Sequence, residues 1–395
     1  MIMTTNPTTS LPYIQNHLQQ YSSISNFKIN ASKSLILTLG ISTHTKSLLM
    51  KNSPFNWSCP TITYLGVKIS PQISDLFSLN YIPLKNSLFK AIDNLQTRAP
   101  MLSWFGRKNL LTSLILPRLT YLQQVLPIPI PSSFYTSLKQ KFRTFIWNGK
   151  KARLSYKLLA HPRQLGGIGL PDPELYGKAI LLARAVDWLR NPTDKPSVSL
   201  EQSILGIPFR AALLGHHFPP HIPMPNFPIL KATLDAWRWL NSSHCSVPFP
   251  SPILTVADIL GTSSPILLQS SSKRIKSSSL PIRNLLDSPG KLLETDAIYT
   301  LLNPCPCDLT LIPHIRSFLM RNNTEGELLR PIGWFEALII NPKPLRKLIS
   351  QIHSKLRTPP LIAKPSFIHN WERETGITIP ISDLPDLFDI PHKAS

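Results

Sequence analysis

Forty prolines are spread through the 395 residues, about twice the usual share. Proline lacks a backbone donor and clashes with the helical turn before it. A chain this rich in proline must use short or interrupted elements joined by extended connections. The length allows two or three domains and ample core. The longest apolar stretch, NLLTSLILPRLTYLQQVLPIPIP, is broken by Arg118, two glutamines and four prolines, so it does not read as a membrane span and no membrane partner is expected. No internal repeat is evident.

The net charge is +21, and its placement says more than its size. The first carboxylates are Asp75, Asp93 and Asp172; residues 1–171 hold 19 Lys plus Arg against two acids. Between Gln96 and Pro171 there are twelve basic residues and no acid. A field of one sign over such a length suits a polyanion; the bland alternative is a solvated basic face. Cys59, Cys245, Cys305 and Cys307 are the only cysteines. Cys305-Pro-Cys307 lacks the two-residue gap of a zinc site, and the nearest histidine is His314, so no metal is expected. Free thiols and the lack of a leader-like start point to nucleus or cytoplasm rather than secretion.

Residues 10–25 read as a helix with Ser10 as cap and Leu11, Ile14 and Leu18 on one face. FKINASKSLILTLG reads as strand, turn, strand, and ITYLGVKIS as a further strand in which Gly66 lets backbone or ligand come close. From Pro83 the apolar period becomes helical, through Leu84, Leu88, Ile92 and Leu95. A second helix begins at Leu110 and is kinked by Pro117. A third, capped by Ser132 or Ser133, turns Phe134, Leu138, Phe142 and Phe145 inward and Lys139, Lys141 and Arg143 elsewhere, and stops at Asn148-Gly149. A fourth opens with Asp172 as cap and Pro173 at the first helical position, its apolar face running through Tyr176, Ile180, Ala183 and Val186. LGGIGLPD before it matches neither phosphate-loop pattern and reads as an elbow. Beyond residue 190 the pattern is less legible. Trp237 and Trp239 lie in a short helical patch, SSSKRIKSSS is a basic linker or a phosphate-contacting loop, and helical pieces are expected over Lys291–Leu302 and Pro344–Ile352.

No reaction centre emerges from the residues themselves. Two-metal phosphoryl transfer needs converging carboxylates, and Asp75 and Asp93 stand apart. There is no GxSxG elbow.

The run FKINASKS, YLGVKIS, MLSWFGRKNLLTSLILPRLTYLQQVLPIPIP, FIWNGKKAR and LGGIGLPDPELYGKA, in this order, resembles the reverse transcriptase of LINE-type non-LTR retrotransposons, from late palm through thumb. The tail SFIHNWERETGI is similar to the region after the thumb. MIMTTNPTTSLPYIQ resembles the stretch that follows the paired catalytic aspartates of that family. The resemblance therefore implies a downstream piece of a longer enzyme that polymerises DNA on RNA with magnesium. This chain would lack the aspartates, hold no cofactor, and not be an enzyme as it stands. The family's fingers, first palm aspartate and terminal cysteine-histidine knuckle have no counterpart here.

By the same resemblance Lys33 matches a lysine near the triphosphate, a weak candidate general acid with a loop lysine as the plain alternative. Gly66 matches the primer-grip hairpin with Tyr64 and Leu65. Trp104, Gly106 and Arg107 match the thumb motif, where Arg107 and Lys108 meet phosphates and Trp104 is expected as core rather than as a stacking platform. Trp147, Lys150, Lys151 and Arg153 match the basic turn after it. With Lys139, Lys141 and Arg143 these form the expected phosphate-contacting set.

The expectation is thus a predominantly helical α+β chain. A palm remnant spans 1–70, a helical thumb and basic turn 71–190, a proline/serine-rich connector with short helices 191–290, and a small helical segment 291–395. It would hold RNA or RNA–DNA duplex through about six phosphates, giving a salt slope near −5, with the missing palm and fingers as a possible protein partner. The alternatives are a helical protein-interaction adaptor without nucleic-acid function, marked by an exposed apolar patch, or an aggregation-prone remnant with a bare sheet edge.

Overall fold

The computed structural model describes residues 2–57, 60–98, 100–163, 167–190, 195–215, 227–244, 250–263, 280–288, 290–302, 311–322, 327–341, 347–357 and 366–380. The fold is predominantly α, with one two-stranded antiparallel sheet among these residues. Its prolines fit because many open helices: Pro7, Pro117, Pro173, Pro196 and Pro228 all lie in first turns, where the missing N–H costs nothing. The chain divides into two compact units, Met1–Lys90 and Ala91–Ser395.

The first unit holds α1 (Pro7–Ser25), α2 (Thr43–Lys51), β1 (Ile62–Tyr64), β2 (Val67–Ile69) and the start of α3 (Asp75–Arg98). α1 begins three residues before the expected cap, on Pro7, and buries none of its residues. The strands expected over 27–40 do not form. Asn30 instead caps a 3₁₀ turn, Ala31–Lys33, and Leu35 makes an isolated bridge to Asn56. Apolar alternation there finds no partner strand. The single strand expected at 62–70 is a hairpin: Ile62 faces Ile69 and Tyr64 faces Val67. Leu65 and Gly66 both have positive φ, 48° and 76°, the signature of a type I′ turn. Nothing lies within 4 Å of a Cβ built on Gly66, so the backbone conformation accounts for this glycine without any close neighbour. Asn80, on α3, ties the hairpin down, accepting from Lys68 N at 2.8 Å and donating to Lys68 O at 2.9 Å. α3 starts at Asp75, two turns ahead of Pro83, which sits inside it.

The second unit is helical. α4 (Trp104–Leu110) runs through a π turn at Leu111–Ile115 into α5 (Leu116–Val125). That wide turn falls just before Pro117, where the ring forbids regular bonding. α6 (Ser132–Ile146) buries Phe134, Leu138, Phe142 and Phe145 as its period requires, although Pro131, not a serine, occupies the cap position. After α7 (Tyr156–Ala160) the elbow closes on itself, with Ile168 N and Leu170 N bonding Leu159 O and Gly169 N bonding His161 O. A Cβ on Gly167 would lie 2.1 Å from His161 O, so only glycine fits that approach.

α8 (Pro173–Arg190) is the central helix. Asp172 caps it, accepting from Glu174 N at 2.9 Å and Leu175 N at 3.2 Å. Around it lie α9 (Pro196–Leu205), α10 (Phe209–Leu214), α11 (Pro228–His244), α12 (Val256–Ser263), α13 (Thr295–Leu302), α14 (Leu311–Asn322), α15 (Trp334–Ile340) and α16 (Leu348–Arg357), with α17 (Ser366–Thr375) further on. Phe209, Trp237 and Ile259 of the expected connector join one core with Trp188, Ile315 and Phe335. Its acids are internal staples. Asp258 takes Arg210 Nε on both oxygens, and Arg210 also reaches Leu189 O and Ile253 O. Glu336 is fully buried and accepts from Gly333 N, Arg330 and Ser251. Cys59, Cys245, Cys305, Cys307 and the 270–279 segment lie outside the described residues.

α16 packs along α8 with His353 stacked on Tyr176, ring centres 3.7 Å apart. Burial, with the Arg357 charge adding to it, lowers the His353 pKa to about 4, against an unfolded value of about 6.5. Between those values the unfolded chain binds a proton that the folded chain does not. Stability is therefore lost as pH falls from about 6.5 toward 4, by up to ~3 kcal/mol. His353→Leu should flatten the fall in urea midpoint over that window; burial also lowers the His161 pKa, which leaves a residual slope. An unchanged slope in the variant would contradict this.

Candidate nucleic-acid interface

The acid-free stretch folds so that its cations fall into two groups. Ser103 caps α4, accepting from Gly106 N at 3.3 Å, and this sets Trp104 at the first helical position. Three residues on, Arg107 turns inward. It is 1% exposed, and its guanidinium donates to Leu102 O at 3.1 Å, Phe145 O at 3.2 Å and Pro100 O at 2.9 Å. Its plane lies over the Phe145 ring, 5.2 Å from the centre. Burial lowers its pKa, yet an arginine remains charged. The expectation that Arg107 meets phosphate is thus corrected: the guanidinium is buried and its donors go to three backbone carbonyls.

Lys139 is engaged within the fold. Its ammonium sits 3.1 Å from Asp172 and 2.7 Å from Glu174, tying α6 to the start of α8. Burial works against its charge, but the Glu174 hydrogen bond and the Asp172 charge outweigh it and raise its pKa. The Glu174 carboxyl is lowered in turn: burial opposes this and the Lys139 bond prevails. Lys141 pairs with Asp93 on α3. The acids on either side of the basic stretch neutralise these two lysines.

The rest stays open. Lys150, Lys151 and Arg153 are exposed, and Lys108 and Arg143 are half-buried. None of the five has a carboxylate within ion-pair distance among the described residues. Lys108 makes one long contact, 3.4 Å, to Asn109 Oδ1. The basic turn is built by the end of α6, where Asn148 and Gly149 take left-handed φ of 52° and 76°. Gly149 N returns to Thr144 O at 2.9 Å and Lys150 N to Trp147 O at 3.0 Å. Trp147 meets Trp104 there, centres 4.6 Å apart and planes at 59°. The sequence favoured Trp104 as core; it is 40% exposed.

In the first unit, Lys33 is exposed at the end of its 3₁₀ turn and Gly66 is exposed at the hairpin tip. A cavity of about 660 Å³ opens beside Pro117, Gln124, Tyr176 and Ile180. Its charges are mixed, Arg184 and Lys347 against Asp187, so it does not extend the positive face. The magnesium implied by the resemblance needs converging carboxylates. Among the described residues no group of three or more His, Cys, Asp or Glu is gathered. No described helix is long and apolar enough to cross a membrane. Compared with models of known protein families, the chain matches none.

Replacing Arg107 by Met removes three hydrogen bonds from a buried guanidinium that joins the loop before α4 to the end of α6, which should cost about 2 kcal/mol or more in urea unfolding. Lysine, with its point charge, should recover only part of that. Weakened RNA binding by Arg107→Met at unchanged stability would instead place Arg107 on the ligand.

Proposed function

We propose that this protein holds RNA or RNA–DNA duplex through the phosphate backbone, in the way the resemblance to a LINE-type reverse transcriptase thumb implies, and that it performs no polymerisation itself. The observation that carries this reading is the exposed turn of Lys150, Lys151 and Arg153, flanked by Lys108 and Arg143, in a stretch free of acids from Gln96 to Pro171. Phosphate contacts position a duplex without reading its sequence, so affinity should vary little between sequences and strongly with salt.

One observation favours a protein partner as a second reading. In the first unit Tyr13, Tyr21, Ile24 and Phe27 are 57% to 85% exposed, an apolar series suited to an adaptor.

With five phosphates neutralised, log K should fall against log salt with a slope of about −4.5. Glutamine at Lys150, Lys151 and Arg153 together should bring the slope closer to zero by about 3, equally on all sequences. Lys139→Gln, whose ammonium already serves Asp172 and Glu174, should leave it unchanged. A flat salt response of the parent chain overturns the reading, and association that survives nuclease treatment favours the adaptor.

A further inference from the structure

We infer that the Trp104–Trp147 pair is a stacking platform for an unpaired nucleobase, so that the basic face prefers single-stranded segments and frayed ends over continuous duplex. This deepens the phosphate-binding reading and rests on it. Tryptophan is highly buried on average, yet Trp104 is 40% exposed, beside Met101 at 97%, Leu102 at 37% and Phe105 at 38%. The two indole planes are tilted by 59°, so they do not close on each other as a parallel stack would. The loop that carries Met101 and Leu102 is fixed rather than loose. Arg107 gathers its carbonyls and that of Phe145, and Asn148 Nδ2 reaches Pro100 O at 3.5 Å.

Charge decides the occupant. On α4, Lys108 lies one turn after Trp104; on α6, Arg143 lies one turn before Trp147, so each cation shares a helical face with its tryptophan. Lys150 and Lys151 follow directly. The Arg163 guanidinium sits over Phe105, 4.8 Å from the ring centre. An exposed aromatic surface on a stretch that carries twelve basic residues and no acid fits a ligand that is anionic along its length and offers π faces at intervals. A single strand does this, whereas a duplex hides its base faces except at its ends.

The test compares the full chain on oligo(dT), on an abasic deoxyribose-phosphate chain of the same length, and on a blunt duplex of that length, by fluorescence anisotropy. The abasic chain keeps every phosphate and removes every base. Oligo(dT) should bind about 10-fold tighter than the abasic chain and quench indole emission. Trp104→Ala should reduce oligo(dT) to the abasic level and leave abasic binding unchanged, while Trp104→Phe should keep most of the preference. Equal binding of oligo(dT) and the abasic chain overturns the platform while leaving phosphate binding intact. A Trp104→Ala variant that weakens both ligands alike also overturns it, because the side chain would then only support the turn. Failure of the parent chain to bind either ligand removes the phosphate reading and this inference with it.

Discussion

Three backbone carbonyls converge on one buried guanidinium, and the positive face is laid out around that convergence. Pro100 and Leu102 belong to the loop before α4, and Phe145 to the last turn of α6. A guanidinium suits the task because its planar fork sends donors in several directions at once. With Arg107 inside, the helix rotation of roughly 100° per residue carries Lys108 outward. The same clamp brings the exposed Trp104 against Trp147 at the start of the basic turn. One buried cation therefore positions several accessible ones.

Carboxylates divide the remaining cations. Asp93 and the pair Asp172 and Glu174 flank the acid-free stretch, and they take Lys141 and Lys139. Further along, Glu201, Asp258 and Glu336 engage Arg184, Arg210 and Arg330 within the helical core. Negative charge in this unit thus does much of its work inside, bracing helices around α8. The positive charge of Lys150, Lys151 and Arg153 is left uncompensated at the surface, where long-range attraction to a polyanion is strongest.

The amphipathic helices were legible because period and punctuation agreed. Phe134, Leu138, Phe142 and Phe145 share one face of α6, and Asp172-Pro173 opens α8 as the cap rules require. Elsewhere local signals misled. The apolar LILTL run satisfies a strand pattern but has only the Asn56 bridge for a partner, and a strand without a ladder does not persist. Pro83 reads as a helix start, yet α3 absorbs it. Within the connector expected over 191–290 with short helices, Pro196 and Pro228 open helices of 10 and 17 residues. For the site, the type of residue was readable and its environment was not. Arg107 and Lys108 are adjacent and alike in charge, and only one is buried. Lys139 finds its partners 33 and 35 positions away, a distance over which no sequence period speaks. Trp104 was assigned to the core on the ordinary habit of tryptophan.

The central claim is that the cations of the acid-free stretch are partitioned, with Arg107, Lys139 and Lys141 holding the fold and Lys108, Arg143, Lys150, Lys151 and Arg153 free to hold phosphate. Cross-linking the full chain to an RNA–DNA hybrid, with the attached residues identified by mass spectrometry, tests it most directly. Cross-links concentrated in residues 101–108 and 143–153, sparing Lys139, are the predicted result. Cross-links spread over lysines throughout the chain, or centred on Lys139 and the helices beyond α8, would contradict it.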